Sequence, residues 1–353
     1  MIKKHFFVFL VFLQSINAQL DINVMNLFES ESLGSNACYR IPTISMVPNG
    51  DLIAIVDERI DSCDDLRKNE DINLVIRRSV DSGRSWSNTK KLIDLPTGES
   101  VSDASLIIDS LNKTVFLFFN YMNHNKIKKR YQMMVVSSVD NGITWSEPLD
   151  ITSQITKANW KDDFMFITSG KGIQTSDGVL LHCLVNLDKG THVFGSKDFG
   201  KTWFLTESPL QNADESKIIE LNNKTWMVNS RVNSSGIRHS YISSNMGKSW
   251  TTYYESDLID PGCNAGFIKL NSPENLILLS NINHKSSREN LCLRYSKNEG
   301  DSWSDPISIY KGSAAYSSVT TLENGEIIVL FERDNYSKIS LTKLSLKSLL
   351  NSL

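Results

Sequence analysis

The amino-acid sequence predicts an all-β fold, a six-bladed β-propeller of four-stranded antiparallel blades. Two observations lead to this prediction. A turn motif that ends in tryptophan recurs five times along the 353 residues. Short apolar runs follow turn residues, and no long helical period appears between them. A repeat of this kind is the pattern expected of a chain built from stacked units of strands.

The repeated motif has the pattern Ser-x-Asp/Asn-x-Gly-x-Ser/Thr-Trp. Its five copies begin at Ser79, Ser138, Ser196, Ser243 and Ser296, and the last two carry Asn in place of Asp. Asp or Asn accepts backbone N–H groups within a turn, Gly tolerates a positive φ, and Trp buries a large apolar face. The copies start about 54 residues apart, which is room for four short strands and their connections. The motif is therefore interpreted as structural, not catalytic.

The strand and helix predictions follow from local patterns. Four runs are strand-like, two of them directly after an Asn-Gly turn signal, and they are 52–55, 72–78, 115–119 and 327–331. One repeat unit lacks the turn motif, and a strand from about 20 to 28 is expected to complete the last blade beside the chain's final strands. The sole predicted helix is short and terminal, near 345–353.

The N-terminal residues have the pattern of a secretory signal peptide. Lys3 and Lys4 precede the apolar run 6–13, and cleavage is expected after Ala18. A membrane anchor is the alternative, but the run is shorter than the roughly 20 residues that span a bilayer. The sequence thus predicts a signal peptide at 1–18, a single propeller domain at 19–353, a secreted or periplasmic location, and no stable membrane span after cleavage. In that oxidising location the five cysteines leave at least one unpaired.

Composition excludes several classes of function. The formal net charge is −3, from 37 Lys and Arg against 40 Asp and Glu, so there is no basic excess for a nucleic-acid partner. Neither Cys-x-x-Cys nor His-Glu-x-x-His occurs. No metal and no cofactor are therefore expected.

One segment ahead of the first turn motif carries a family resemblance. Tyr39-Arg40-Ile41-Pro42 resembles the (Phe/Tyr)-Arg-Ile-Pro signature of the sialidases, or neuraminidases, and the repeated turn resembles their Asp box. The closest similarity is to secreted bacterial exo-α-sialidases. The resemblance implies a glycoside hydrolase that removes terminal sialic acids from glycans, glycoproteins or glycolipids. A trans-sialidase and a non-catalytic sialoside-binding propeller are the alternatives.

The resemblance also implies how the substrate is held. Sialic acid carries a carboxylate on its anomeric carbon, and arginine matches a carboxylate bidentately. Arg40 and Arg231 match the first two arginines of the family's triad. Arg288 matches the third, with Arg294 as the competing candidate. Glu332 matches the glutamate that orients the first arginine.

The implied chemistry is retaining hydrolysis with a tyrosine nucleophile. A neutral phenol avoids the repulsion that a carboxylate nucleophile would meet from the substrate's own carboxylate. Tyr316 matches the nucleophile and Glu215 the base that activates it. Asp65 matches the acid/base, on a loop that follows Arg59, and Asp64 is the alternative. Arg59 itself is expected to line the pocket. An acidic surface loop or a calcium site is the competing interpretation of that loop.

Overall fold

The computed structural model describes residues 22–30, 37–126, 131–270 and 275–351. The predicted signal peptide at 1–18 lies outside the described residues. Within them the fold is all-β, as the sequence predicts. No helix in the described part of the chain is both long enough and apolar enough to cross a membrane.

The strands are short and follow one another along nearly the whole of the described chain. In chain order they are β1 (Val24–Glu29), β2 (Ala37–Met46), β3 (Leu52–Ile60), β4 (Ile72–Ser79), β5 (Lys90–Ile93), β6 (Glu99–Asp109), β7 (Thr114–Asn123), β8 (Gln132–Ser138), β9 (Leu149–Asp150), β10 (Met165–Ile167), β11 (Gly170–Lys171), β12 (Ile173–Gln174), β13 (Leu180–Asn186), β14 (His192–Ser196), β15 (Phe204–Leu205), β16 (Ser216–Glu220), β17 (Trp226–Ser230), β18 (Ile237–Ser243), β19 (Thr251–Ile259), β20 (Gly266–Lys269), β21 (Ile277–Ile282), β22 (Glu289–Ser296), β23 (Ile307–Thr321), β24 (Glu326–Arg333) and β25 (Lys338–Ser345). The four runs predicted as strands lie in β3, β4, β7 and β24.

Helical structure is limited to three short pieces in the described residues. They are α1 (Thr152–Ile155), a 3₁₀ turn at Ala158–Trp160, and α2 (Leu346–Asn351). The terminal helix predicted near 345–353 is confirmed by α2. The single turn of α1 was missed, because four residues are too few to show a helical period.

The sheets are propeller-like, with sequential strands pairing as antiparallel neighbours. Two are four-stranded, in the orders β2-β3-β4-β5 and β16-β17-β18-β19. Strands β6 to β9 form a third sheet, to which β11 adds in parallel beside β6. In the fourth, β10 and β12 both pair with β13, followed by β14 and β15. The fifth is seven-stranded, in the order β20-β21-β22-β23-β24-β25-β1.

The seven-stranded sheet is a correction to the predicted six separate four-stranded sheets. The described residues form five sheets, because the 15-residue β23 serves two sets of strands. Its first half pairs with β22 and its second half with β24. The strand predicted at about 20–28 is observed as β1, and it pairs antiparallel with β25. The first strand of the described chain thus completes the sheet that contains its last strand.

The five copies of the repeated motif fold into the same turn. Each joins two strands that pair as antiparallel neighbours, as β4 and β5 do. In the first copy, the N–H of Gly83 donates to Ser79 Oγ at 2.8 Å, and Asp81 accepts both the N–H and the hydroxyl of Ser85, at 2.9 and 2.6 Å. The bond from the Gly N–H recurs in the other four copies, and the hydroxyl bond recurs in the two that carry Asp. In the two copies that carry Asn, the side-chain amide donates to the Ser hydroxyl instead. Gly83 has a φ of +75°, as the turn requires.

Apolar side chains of neighbouring sheets interlock to form the core. For example, Ile53 and Ile55 of β3 pack with Leu106 of β6 and Leu117 of β7, and all four are fully buried. Alternating strand residues reach the interface on each side, so that every sheet shares its apolar faces with the next one along the chain.

One disulfide bond connects β2 to the loop that follows β3. It joins Cys38 to Cys63, whereas Cys183, Cys263 and Cys292 are buried free thiols. The predicted surplus of unpaired cysteines is confirmed. The bond fixes the loop that carries Asp64 and Asp65 against the strand that carries Arg40.

Three strands depart from regular pairing close to one another in space. Register shifts interrupt β2 between Arg40 and Thr43, β6 between Ser102 and Ser105, and β23 between Ala314 and Ser317. Ile41 and Asp103 lie in two of these bulges with φ of 58° and 62°. Positive φ is costly for a β-branched residue, and such strain concentrates at functional sites. These bulges turn side chains toward a common cavity.

Candidate active site

The three bulges meet at a cavity of about 300 Å³. Its walls combine titratable groups with apolar side chains. The polar part of the lining comes from Arg59, Asp65, Arg67, Ser102, Asp103, Asp214, Glu215, Arg231 and Tyr316, and the apolar part from Ile41, Leu66, Tyr131, Phe164, Phe166 and Leu187. A concave site with this mixture of convergent charges and apolar surface is typical of a small-molecule site.

Arg40 and Glu332 form a buried ion pair beside the cavity. Arg40 Nε donates to Glu332 Oε1 at 2.7 Å, and the N–H of Ile41 donates to the same oxygen at 2.9 Å. The other carboxylate oxygen accepts the N–H of Tyr316 at 3.1 Å. Glu332 is fully buried, so its charge needs these partners. It thereby fixes both the Arg40 guanidinium and the backbone at Tyr316.

Arg231, Glu215 and Tyr316 meet at a single guanidinium nitrogen. Arg231 Nη1 donates to Glu215 Oε2 at 2.6 Å and to the Tyr316 hydroxyl at 2.9 Å. Glu215 directly precedes β16 and Arg231 directly follows β17. The N–H of Arg231 donates to the Glu215 carbonyl at 3.0 Å, which continues the ladder between those strands. The hairpin itself therefore sets the two side chains opposite each other.

The environment makes Tyr316 a weaker acid than an ordinary tyrosine. Burial raises the pKa of Tyr316 well above its usual value, and the nearby charge of Glu215 raises it further, against the opposing effect of Arg231 and Arg288. Burial also raises the pKa of Glu215, although the charge of Arg231 opposes this. A phenol of this kind becomes nucleophilic only if a neighbouring base takes its proton.

Arg288 lies beside the Tyr316 ring, whereas Arg294 makes its contacts elsewhere. The guanidinium carbon of Arg288 is 5.4 Å from the centre of the Tyr316 ring, and that of Arg40 is 5.9 Å from the same ring. Arg294 lies further along β22, where it donates to the carbonyl of Ser304 and the side chain of Asn283. Of the two candidates for the third arginine, Arg288 is the one beside Tyr316.

Arg59 connects a buried carboxylate to an exposed one. Its Nη2 donates to Asp57 Oδ2 at 3.0 Å, and its Nη1 donates to Asp65 Oδ1 at 2.6 Å. The Asp65 side chain is 79% exposed. The loss of solvent around the carboxylate raises the pKa of Asp65, but the charge and the hydrogen bond of Arg59, with the charges of Arg40 and Arg288, outweigh this effect and lower that pKa. Asp65 is consequently ionised at neutral pH.

Asp65, not Asp64, is the loop carboxylate that lines the cavity. The backbone N–H of Asp64 donates to Ser62 Oγ at 2.9 Å, within a turn at the loop's exposed edge. Next to Asp65, the fully buried Leu66 packs with Ile72 and Met122. In the described part of the chain, no group of three or more His, Cys, Asp or Glu side chains is placed to hold a metal ion.

Several further polar residues at the site were missed by sequence reasoning, among them Asp57, Asp103, Asp214 and Tyr336. Asp57 accepts the Ser102 hydroxyl at 2.5 Å and the N–H of Asp103 at 3.2 Å, so two carboxylates lie close together. Burial raises the pKa of both, against the charge of Arg59. Asp214 lies 3.5 Å from Arg231 Nε, and Tyr336 contacts two of the arginines. Asp57 and Asp214 neighbour recognised residues in sequence, but Asp103 and Tyr336 lie in segments without any motif.

Comparison with known proteins agrees with the all-β, propeller-like fold. The family model described as "BNR repeat-like domain" matches residues 64–329, so the chain belongs to that family. The relatives that this chain resembles in sequence are sialidases. It is 27% identical to a sialidase of Bacteroides fragilis over 84% of this chain and 60% of that protein, and 29% identical to a sialidase of Micromonospora viridifaciens over 83% and 50%.

A solved structure supports the same family. The structure of the Hadza microbial sialidase Hz136 superposes with a TM-score of 0.81 at 25% identity, covering 88% of this chain and 66% of that one. Together with the arginines and the bulged strands described above, these matches identify the chain as a member of the sialidase family. The chain spans about half to three fifths of the length of the two curated relatives.

Proposed function

We propose that the protein is an exo-α-sialidase, which hydrolyses terminal sialic acids from glycans, glycoproteins or glycolipids with retention of configuration. The observation that carries the proposal is the meeting of Arg231, Glu215 and Tyr316 at one nitrogen, with Arg40 and Arg288 beside the same tyrosine ring. Three arginines around one phenol form a site for a carboxylate that is attached to the carbon at which the reaction takes place.

The arginines bind the substrate carboxylate. Arg40 lies in β2, Arg231 directly after β17 and Arg288 directly before β22. Each is fixed by protein partners before the substrate arrives. Such preorganisation reduces the ordering cost of binding, and guanidinium groups match carboxylates bidentately. The rest of the sugar then lies against the apolar wall, with Phe164 and Leu187 at hand for its acyl side chain.

The first chemical step forms a bond between Tyr316 and the sugar. Asp65 gives a proton to the glycosidic oxygen, and the phenol oxygen of Tyr316 attacks the anomeric carbon as Glu215 takes the phenol proton. The bond to the aglycone breaks and the alcohol leaves. Because Tyr316 is neutral, its approach is not opposed by the substrate carboxylate.

The second step releases the sugar. Asp65, now ionised, takes a proton from water, which attacks the anomeric carbon; the phenolate leaves and recovers its proton from Glu215. Two displacements retain the configuration. Since the pKa of Asp65 is lowered before the substrate binds, Asp65 must take up a proton as the anionic substrate binds next to it. The substrate's negative charge raises the pKa of Asp65 and favours this uptake.

We also infer that the sheets form six blades of one closed ring. We infer further that the protein is exported. The two halves of the seven-stranded sheet would be separate blades that share β23. Hydrogen bonds from the N–H groups of Ile44 and Met46 to Ser318 Oγ and Thr320 Oγ1 support closure, because they connect β2 to β23. The signal-like pattern at 1–18 supports export.

The test is hydrolysis of an aryl α-sialoside followed by proton NMR. The expected first product is the α-anomer of free sialic acid, which then mutarotates. Release of the β-anomer first would contradict retention, and absence of any cleavage would contradict the function. Mass spectrometry of the products with a galactoside acceptor present distinguishes hydrolysis from a trans-sialidase, which would yield a sialylated acceptor or an anhydro sugar.

A further inference from the structure

The turn between β24 and β25 has an unusual backbone. Three consecutive residues, Asp334, Asn335 and Tyr336, have φ of 53°, 53° and 68°. Asp and Asn tolerate this left-handed region, but an aromatic residue in it is strained. Strain of this kind persists only where the surroundings impose it, and it concentrates at functional sites.

Contacts from several elements hold the turn in place. Asp334 pairs with Arg333 at 2.7 Å and with Lys338 at 3.5 Å. The N–H of Asn335 donates to Ser313 Oγ at 3.2 Å, and the carbonyl of Tyr336 accepts the hydroxyl of Ser30 at 3.3 Å. The position of the Tyr336 side chain is therefore determined by the protein before any ligand binds.

The Tyr336 side chain contacts two of the three arginines beside the cavity. Its ring centre lies 4.0 Å from the guanidinium carbon of Arg40, and its hydroxyl accepts a hydrogen bond from Arg288 Nη1 at 3.0 Å. Glu332, four residues earlier, accepts from Arg40 Nε. The segment 332–336 thus supplies both the anionic and the aromatic partner of Arg40.

We propose that Tyr336 is a positioning residue of the carboxylate site, which holds Arg40 and Arg288 at the spacing that a substrate carboxylate needs. This inference rests on the proposed function. Two guanidinium groups brought close together repel each other, and the electron-rich ring face and the phenol oxygen offset that repulsion. A neutral partner is required here, because a second carboxylate would compete with the substrate's carboxylate for the same N–H groups.

Three variants separate the two contacts of Tyr336. Tyr336→Phe keeps the ring over Arg40 and removes the acceptor of Arg288, so binding of 2,3-didehydro sialic acid should weaken about 3- to 10-fold. Tyr336→Leu removes both contacts, and binding should weaken about 30-fold or more. The methyl ester of the same ligand lacks the carboxylate charge, so its affinity should change little. For an aryl sialoside, KM should rise more than kcat falls.

Tyr336→Asn distinguishes positioning from a structural role. Asn accepts the left-handed conformation better than Tyr, so the melting temperature should stay the same or rise while the affinity for the carboxylate ligand falls. Tyr253→Asn, on the partly exposed edge strand β19, is the matched control, and it should leave the affinity unchanged.

The outcomes separate this inference from the function on which it rests. Active wild-type protein with Tyr336→Leu and Tyr336→Asn variants that bind the acid as tightly as wild type would overturn the inference and leave the function standing. Equal weakening for the acid and its methyl ester, with a lowered melting temperature in Tyr336→Asn, would show a structural role and also overturn it. Wild-type protein that neither cleaves sialosides nor binds the acid would overturn the function first, and the inference with it.

Discussion

At the scale of single residues, the site depends on which groups carry charge when the substrate arrives. Glu215 and Glu332 are almost fully buried, yet each is paired with an arginine, so the site keeps its carboxylates next to cations. Asp65 differs from both, because its side chain is exposed on a loop and bound to Arg59. This contrast suits one buried base for Tyr316 and one accessible acid for the leaving group.

The assignment of the acid predicts a difference between two neighbouring aspartates. Asp65→Asn should lower kcat for a sialoside with a poor leaving group at least about 10²-fold, because no proton reaches the glycosidic oxygen. The loss should be much smaller for an activated aryl sialoside, whose leaving group needs no proton. Asp64→Asn is the matched control and should leave both rates near wild type. The value of kcat is measured by spectrophotometry for the aryl sialoside and by chromatography for the sialoside with the poor leaving group.

The reverse pattern would reassign the acid. If Asp64→Asn loses activity on the poor leaving group and recovers with the activated one, while Asp65→Asn stays near wild type, Asp64 is the proton donor.

At the scale of secondary-structure elements, the repeated turns are stabilised by carboxylates that remain ionised at low pH. Hydrogen bonds from the neighbouring hydroxyl groups, with backbone N–H groups, lower the pKa of Asp81 and Asp140 far below the usual value, and that of Asp198 to about 2. A lowered folded-state pKa stabilises the fold above the unfolded value of about 3.9, and this stabilisation is lost as pH falls through the folded value.

The chain's own fourth and fifth turns suggest the test. Asn245 and Asn298 make the same bonds with the amide as donor, at 2.8 and 2.9 Å to the serine hydroxyl. A triple variant, Asp81→Asn, Asp140→Asn and Asp198→Asn, should therefore fold, and its melting temperature should fall less than that of wild type between about pH 4 and pH 2. Asp305→Asn, at an exposed position, is the control. If the melting temperature of the triple variant falls with pH as much as that of wild type, these carboxylates do not cause the loss of stability in acid.

Much of the element order could be predicted from sequence, and the exceptions have physical reasons. Turn signals and apolar runs locate β3, β4, β7 and β24 because both are local. The sharing of β23 is decided by tertiary pairing on its two halves, which no local pattern shows. The Arg-Ile-Pro segment identifies Arg40, but the choice between Arg288 and Arg294 needs the structure, in which Arg288 directly precedes β22 and Arg294 lies within it. Tyr336 is a lone aromatic in a turn, and only its contacts reveal it.

At the scale of the whole molecule, the first and last strands of the described chain are paired. Strand β1 adds to β25, and Leu27 and Phe28 are buried with Leu330 and Leu341. Phe28 also packs against Tyr39, one residue before Arg40, with ring centres 5.4 Å apart. The N-terminal strand therefore supports both the final sheet and the strand that carries the first arginine.

This pairing predicts a large effect of one buried side chain. Phe28→Ala should lower the free energy of unfolding by about 3–5 kcal/mol, because it removes a buried aromatic and leaves a cavity. Met25→Ala on the same strand is the matched control: Met25 is 39% exposed, and its replacement should cost less than about 1 kcal/mol. Denaturant unfolding measures both. Equal small losses would show that β1 contributes little to holding the last sheet.

Attack of Tyr316 on the anomeric carbon would leave a covalent intermediate, and trapping that intermediate is the sharpest test of the proposed mechanism. A 2,3-difluoro sialic acid loses the fluoride at C2 when the nucleophile attacks, and the fluorine at C3 slows the hydrolysis that follows. Intact-protein mass spectrometry should show one added sugar, and peptide mapping should place it on Tyr316. Tyr316→Phe should acquire no label and should lose at least about 10³-fold in kcat while keeping its melting temperature. Label on a carboxylate, or undiminished labelling and activity in Tyr316→Phe, would contradict the account.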